Sequence, residues 1–193
     1  PWRFSTVFKT YLVHAEIPWN LLSIPPYVQD FRASVIFPTT VSGPFRYPSG
    51  GGSYVPAETL QHGTGYWVKF VTPEDLRFIG IERTEDTIDV SAGWNLIGTI
   101  STPLVSENIV SLPGGIVTSA FFEYSGTYST ADTLKPGRGY WVYANESGKL
   151  VLAENSTATQ SNRIRITLTP ELPPLPPGIF TPETPGDGPT NFG

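Results

Sequence analysis

Trp19-Asn20-Leu21-Leu22 returns 75 residues later as Trp94-Asn95-Leu96-Ile97. Phe45-Arg46-Tyr47, a Gly-rich turn and Tyr54 return as Phe122-Glu123-Tyr124, a shorter turn and Tyr128, with offsets of 77 before the turn and 74 after it. Leu60 and Gly63-Thr64-Gly65-Tyr66-Trp67-Val68 return as Leu134 and Gly137-Arg138-Gly139-Tyr140-Trp141-Val142, again 74 residues on. Three collinear matches with one length change inside a turn mark a duplication, which restricts the chain to two copies of one small fold.

Each copy reads as short strands. Val, Ile, Tyr, Phe, Trp and Thr cluster in runs of four to six residues bounded by Gly, Pro, Asn and Ser. The expected order in the second copy is a first strand near Thr87 to Val90, the Trp-Asn strand, and a connector with a helical turn around Leu104 to Val110. A hairpin through Ser125-Gly126, the Gly-Tyr-Trp-Val strand and a last strand, Lys149 to Ala153 or its counterpart Leu76 to Ile81, complete it. Gly137 and Gly139 precede two large aromatics, where glycine supplies positive φ or close backbone approach. The reading is therefore all-β: two tandem repeats of about 75 residues, sandwich- or barrel-like, with an extended Pro-rich C-terminal tail. Its divisions are an N-terminal strand segment at 1–12, repeats at 13–86 and 87–162, an orphan third first-strand at 163–169, and the tail at 170–193. The tail carries 8 Pro and 4 Gly in 24 residues and no Lys or Arg, a composition that favours polyproline II.

A formal net charge of −5 argues against a nucleic-acid partner, which needs a basic face. No apolar run approaches the roughly 20 residues of a membrane span. Without Cys, disulfides, thiolate metal sites and thiol catalysis are excluded. The chain begins at Pro1 and has no Met, which is expected of a processed form.

The pattern Gly93-Trp94-Asn95-Leu96-Ile97-Gly98, Phe122-Glu123-Tyr124 and Leu134-Lys135-Pro136-Gly137-Arg138-Gly139-Tyr140-Trp141-Val142 resembles a β-module of secreted and surface proteins of bacteria related to the Bacteroidota and Chlorobi. Such modules are often tandem and lie before a Pro-rich linker and a type IX secretion sorting domain. Thr190-Asn191-Phe192-Gly193 looks like the start of that domain. The resemblance covers roughly Val13 to Leu168. It is closer in the second copy, because the first has Pro18 and Ser23 where the pattern has Gly. It implies an extracellular or cell-surface location and a non-enzymatic context.

Catalytic and metal sites have little material. His14 and His62 are the only histidines, and His62 stands where the second copy has Pro136. No Gly-x-Ser-x-Gly elbow, EF-hand spacing, P-loop or dinucleotide motif is present. A glycosidase pair could be drawn from Glu74, Asp75, Glu82, Glu85, Asp86 and Asp89, but the cluster Glu82 to Asp89 is expected between strands, where charge solvates a turn. Asp86-Thr87-Ile88 and Asp132-Thr133-Leu134 resemble a short O-glycosylation signal of exported Bacteroidota proteins. No cofactor, metal or catalytic residue is assigned.

Trp19, Asn20, Trp67, Trp94, Asn95, Gly137, Gly139, Tyr140 and Trp141 occupy the repeat motifs and read as architecture, the tryptophans as core. Two functions fit. The first is a self-assembling extracellular structural subunit of a filament or layer, linked by strand addition through terminal segments containing Phe4, Val7, Phe8 and Tyr11 at one end and Ile164, Ile166, Leu168, Leu172, Leu175, Ile179 and Phe180 at the other. The second is a polysaccharide-binding or adhesive module that presents Tyr47, Tyr54, Tyr124 and Tyr128 from its hairpins. The arrangement of those four tyrosines discriminates between them.

Overall fold

A computed structural model of the chain describes residues 7–154 and 172–178. The first half contains β1 (Phe8–Ala15), β2 (Trp19–Leu22), a single helical turn α1 (Ala33–Ile36), β3 (Ser42–Arg46), β4 (Val55–Pro56), β5 (Tyr66–Lys69) and β6 (Glu74–Ile81). The second contains β7 (Glu85–Val90), β8 (Gly93–Ile97), β9 (Leu104–Val105), a 3-10 turn at Ser106–Asn108 and β10 (Val110–Leu112). It continues with β11 (Phe122–Tyr124), β12 (Tyr128–Thr130), β13 (Thr133–Leu134), β14 (Tyr140–Ala144) and β15 (Gly148–Ala153). The fold is all-β and every named ladder is antiparallel.

The two halves share a pairing scheme. One four-stranded sheet runs β2-β5-β3-β4 and the other β8-β14-β11-β12. Leu21 faces Trp67 in the first and Leu96 faces Trp141 in the second, while Phe45 and Phe122 face those same tryptophans from the other side. The long ribbon β1·β6 corresponds to β7·β15, with His14 opposite Asp75 where the second half has Asp89 opposite Lys149. The second half adds β10 beside β15 and the short ladder β9·β13.

Period-two alternation explains why Tyr-Trp-Val is apolar throughout. Tyr66 and Val68 point into a core with Leu22, Phe37, Leu60 and Phe78, and Tyr140 and Val142 point into a separate one with Ile97, Phe121, Leu134 and Leu150. The opposite faces carry Trp19, Leu21 and Trp67 from one half and Trp94, Leu96 and Trp141 from the other, and these form a third cluster that the halves share. Both faces of each central strand are thus buried. The Asn beside each first tryptophan closes the preceding turn: Asn20 accepts from Glu16 N at 2.9 Å and donates to Glu16 O at 2.7 Å, and Asn95 does the same to Ser91 at 3.0 and 2.8 Å.

Two sequence-derived boundaries fall inside strands. The expected break at 12/13 lies within β1, because the inward positions Val13 and Ala15 continue an alternation that starts earlier and pairs with β6 from Phe8 onward. The break at 86/87 lies within β7. The orphan strand at 163–169 lies outside the described residues.

Candidate functional site

The halves meet through reciprocal backbone contacts. Gly65 N donates to Leu96 O at 3.1 Å, and its counterpart Gly139 N donates to Leu21 O at 3.0 Å. Gly98 N donates to Gly63 O, and Ser23 N donates to Gly137 O, both at 2.9 Å. Each motif therefore contacts the other half's partner motif, as in an isologous interface between two subunits. Close approach requires glycine here: a Cβ on Gly65 would lie 2.7 Å from Ile97 O, and one on Gly98 would lie 2.9 Å from the Cβ of Ser23. Only one member of the Ser23/Gly98 pair has room for a Cβ, which accounts for the departure of the first copy from the repeat pattern. Ser23 Oγ uses the position to donate to Arg138 O at 2.7 Å.

Beside this seam the hairpin tips of both halves converge. Tyr47 and Tyr54 flank the Gly50-Gly51-Gly52 turn, and Tyr124 and Tyr128 flank the Ser125-Gly126 turn; all four are partly buried against the shared tryptophan cluster. Each inner tyrosine crosses to the other half's tryptophan: Tyr47 stands edge-on to Trp141 at 4.9 Å, and Tyr124 edge-on to Trp67 at 4.8 Å. The outer tyrosines lean on the inner ones, Tyr54 on Tyr47 at 5.5 Å and Tyr128 on Tyr124 at 5.3 Å. Edge-to-face contacts of this kind contribute about 0.5–1.5 kcal/mol each beyond burial.

The outer hydroxyls face Leu172–Gly178, part of the Pro-rich tail. Tyr54 donates to Leu175 O at 2.7 Å and lies 3.2 Å from Pro174 O, while accepting from Trp67 Nε1 at 3.1 Å. Tyr128 also donates to Pro174 O. Pro173 and Pro176 are buried while Leu172 and Gly178 are exposed, a three-residue recurrence that matches the turn of polyproline II. A Pro-rich backbone has carbonyls to offer and few N–H groups to satisfy, so phenol donors suit it. Burial raises the pKa of Tyr54 and Tyr128, which keeps these two donor phenols protonated, and it raises that of Tyr124 beside them.

The other sequence candidates are dispersed. Of the suggested subunit-contact residues, Phe4, Ile164, Ile166, Leu168, Ile179 and Phe180 lie outside the described residues. Val7, Phe8 and Leu172 are exposed, Leu175 is half-buried, and Tyr11 packs on the first core. His14 bonds to Asp75 at 2.7 Å on the exposed β1·β6 ribbon. His62 is held between the rings of Tyr27 and Phe31 at 5.1 and 4.9 Å, and burial and then the Arg83 charge push its pKa down. The acidic residues are engaged separately: Glu82 by Lys9, Asp89 by Lys149, Asp86 by Arg83, Glu74 by Thr39. Among the described residues no three His, Asp or Glu side chains gather as a metal site. Thr87 is exposed and Thr133 half-buried.

Sequence reasoning missed two features. Arg83 is almost fully buried between the halves, donating to Pro25 O at 3.2 Å and to Thr99 O and pairing with Asp86; no sequence signal marks it. The seat of the tail was legible in part, since Pro173 and Pro176 keep the polyproline period, but the donors that meet them come from both halves.

No family model matches the chain, and neither a curated protein nor a solved structure matches it.

Proposed function

We propose that the chain is a non-catalytic extracellular structural subunit, two tandem sandwich-like units that join copies of one another into a filament or surface layer through their terminal segments. The matching ladder schemes of the two halves support the duplication. The observation that carries the reading is the seating of Leu172–Gly178 on Tyr54 and Tyr128: a terminal segment of this chain is complementary to a cleft of this chain. The polysaccharide reading draws less support, because the tyrosine rings are engaged with Trp67, Trp141 and one another and two hydroxyls are taken by peptide carbonyls. The resemblance to exported β-modules supports the location.

Negative-stain electron microscopy of the 193-residue chain, with light scattering across a concentration series, tests the proposal. Regular filaments or sheets are expected. A 21.1 kDa monomer at every concentration would contradict assembly and make a glycan array the next experiment.

A further inference from the structure

We infer that the aromatic cleft between the hairpin tips is a receptor for polyproline-type segments, filled in an assembly by Leu172–Gly178 of a second copy of this chain. The identity of the donor rests on the assembly reading; the chemistry of the cleft does not.

Three observations carry the inference. First, the segment belongs to no ladder, and the described hydrogen bonds that hold it run from phenol donors to its carbonyls. A β-strand would bring N–H groups in need of acceptors, whereas Pro173, Pro174, Pro176 and Pro177 bring none. Second, the buried residues Pro173 and Pro176 are three positions apart, so the cleft reads the three-fold face of a preformed, low-entropy helix, as aromatic-lined grooves for Pro-rich ligands do. Third, the site is composite: Tyr54 belongs to one half and Tyr128 to the other, and each is propped by a tyrosine that leans on the opposite half's tryptophan. The cleft exists only because the halves pack as they do.

The chain length between cleft and segment permits exchange. From Glu154 to Leu172 are 18 peptide steps, which reach at most roughly 60 Å when extended. That reach serves a chain's own cleft or a neighbour's equally well. A tethered own segment competes at an effective concentration of order mM, so exchange requires copies crowded to a comparable local concentration, as in a surface layer. A cleft on one copy and a segment on the next is a heterologous contact that need not close.

Two full-length variants test this. Pro173→Glu with Pro176→Glu disables the segment and leaves the cleft; Tyr54→Phe with Tyr128→Phe removes the donors and leaves the segment. The probe is a capped, dye-labelled peptide of sequence Leu-Pro-Pro-Leu-Pro-Pro-Gly, followed by fluorescence anisotropy. It is expected to bind the segment-disabled variant saturably and the donor-less variant about 25-fold more weakly, roughly 5-fold per hydroxyl. Should the double tyrosine variant lose its near-UV circular dichroism, Tyr128→Phe alone carries the comparison at about 5-fold. No binding to the segment-disabled variant, or equal binding to both, overturns the receptor. Mixing the two full-length variants tests the donor: each alone is expected at 21.1 kDa, and the mixture at twice that mass. Peptide binding without a heterodimer at the same concentrations overturns the second-copy donor. Wild-type assemblies combined with no peptide binding would sink this inference and leave the assembly reading standing.

Discussion

Gly65 and Gly139 are equivalent by sequence, yet the seam treats them differently. An alanine Cβ at 65 would sit 2.7 Å from Ile97 O and 3.0 Å from the Leu96 side chain; at 139 the nearest atoms are Leu22 O at 3.2 Å and Gly65 Cα at 3.3 Å. The carbonyl facing residue 65 belongs to the Thr64·Ile97 bridge, so it retreats only by loosening that bridge and the adjacent bond from Gly65 N to Leu96 O. Overpacking costs about 1–3 kcal/mol and a weakened buried hydrogen bond about 1 kcal/mol. The narrower unfolded ensemble of alanine returns about 0.4–1 kcal/mol. Gly65→Ala should therefore lose about 2–3 kcal/mol, lowering Tm by roughly 4–12 °C for a chain of this size. Gly139→Ala should stay within about 1 kcal/mol of wild type, since neighbours there need to move only slightly. Because a Cβ introduced at position 139 would lie 3.3 Å from Gly65 Cα, the double variant should be worse than additive. Urea unfolding followed by tryptophan fluorescence reads all three. Equal losses at the two sites, or a neutral Gly65→Ala, would refute the seam geometry.

Arg83→Met should cost about 3 kcal/mol in the same assay, the low end for breaking a buried ion pair because Asp86 keeps some solvent, and adding Asp86→Leu should restore part of it. Burial raises the pKa of Tyr54, Tyr66, Tyr128 and Tyr140, the last to about 12. Their stabilisation is complete below the usual value of 10.0 and is lost as pH climbs from there through about 12, so alkaline unfolding should coincide with a late cooperative rise in tyrosinate absorbance. His62 has its pKa lowered from 6.5, so its contribution is complete above that pH and is lost as pH falls below it. His62→Phe should flatten the pH dependence of stability below pH 6.5 in acid titrations of Tm.

The recurring sequence motifs made most of the strands legible, because each carries its own alternation and its own turn glycines. Hairpins at Tyr47/Tyr54 and Tyr124/Tyr128 followed directly. Two similar units, however, present similar surfaces, and their sequence does not say whether those surfaces lie apart or face one another. The tryptophans read as core within each unit; in the structure they point away from each unit's own core into a layer between the halves. Ser23 departs from the Gly of the pattern, and only the nearness of Gly98 across the seam gives the departure a reason. The cleft was beyond pattern reading for the same cause: Tyr54 and Tyr128 come together through packing of the halves, and a partner segment some 120 residues from Tyr54 in sequence completes it.

Leu172–Gly178 lies on Tyr54 and Tyr128 between the halves. Nuclear Overhauser contacts between selectively labelled tyrosine rings and the Pro174 and Leu175 side chains in the full chain test it most directly. Cross-peaks from both Tyr54 and Tyr128 to that segment, lost in the Pro173→Glu, Pro176→Glu variant, are expected. Tyrosine rings with cross-peaks to Tyr47, Tyr124 and the tryptophans but none to the Pro-rich segment would contradict it.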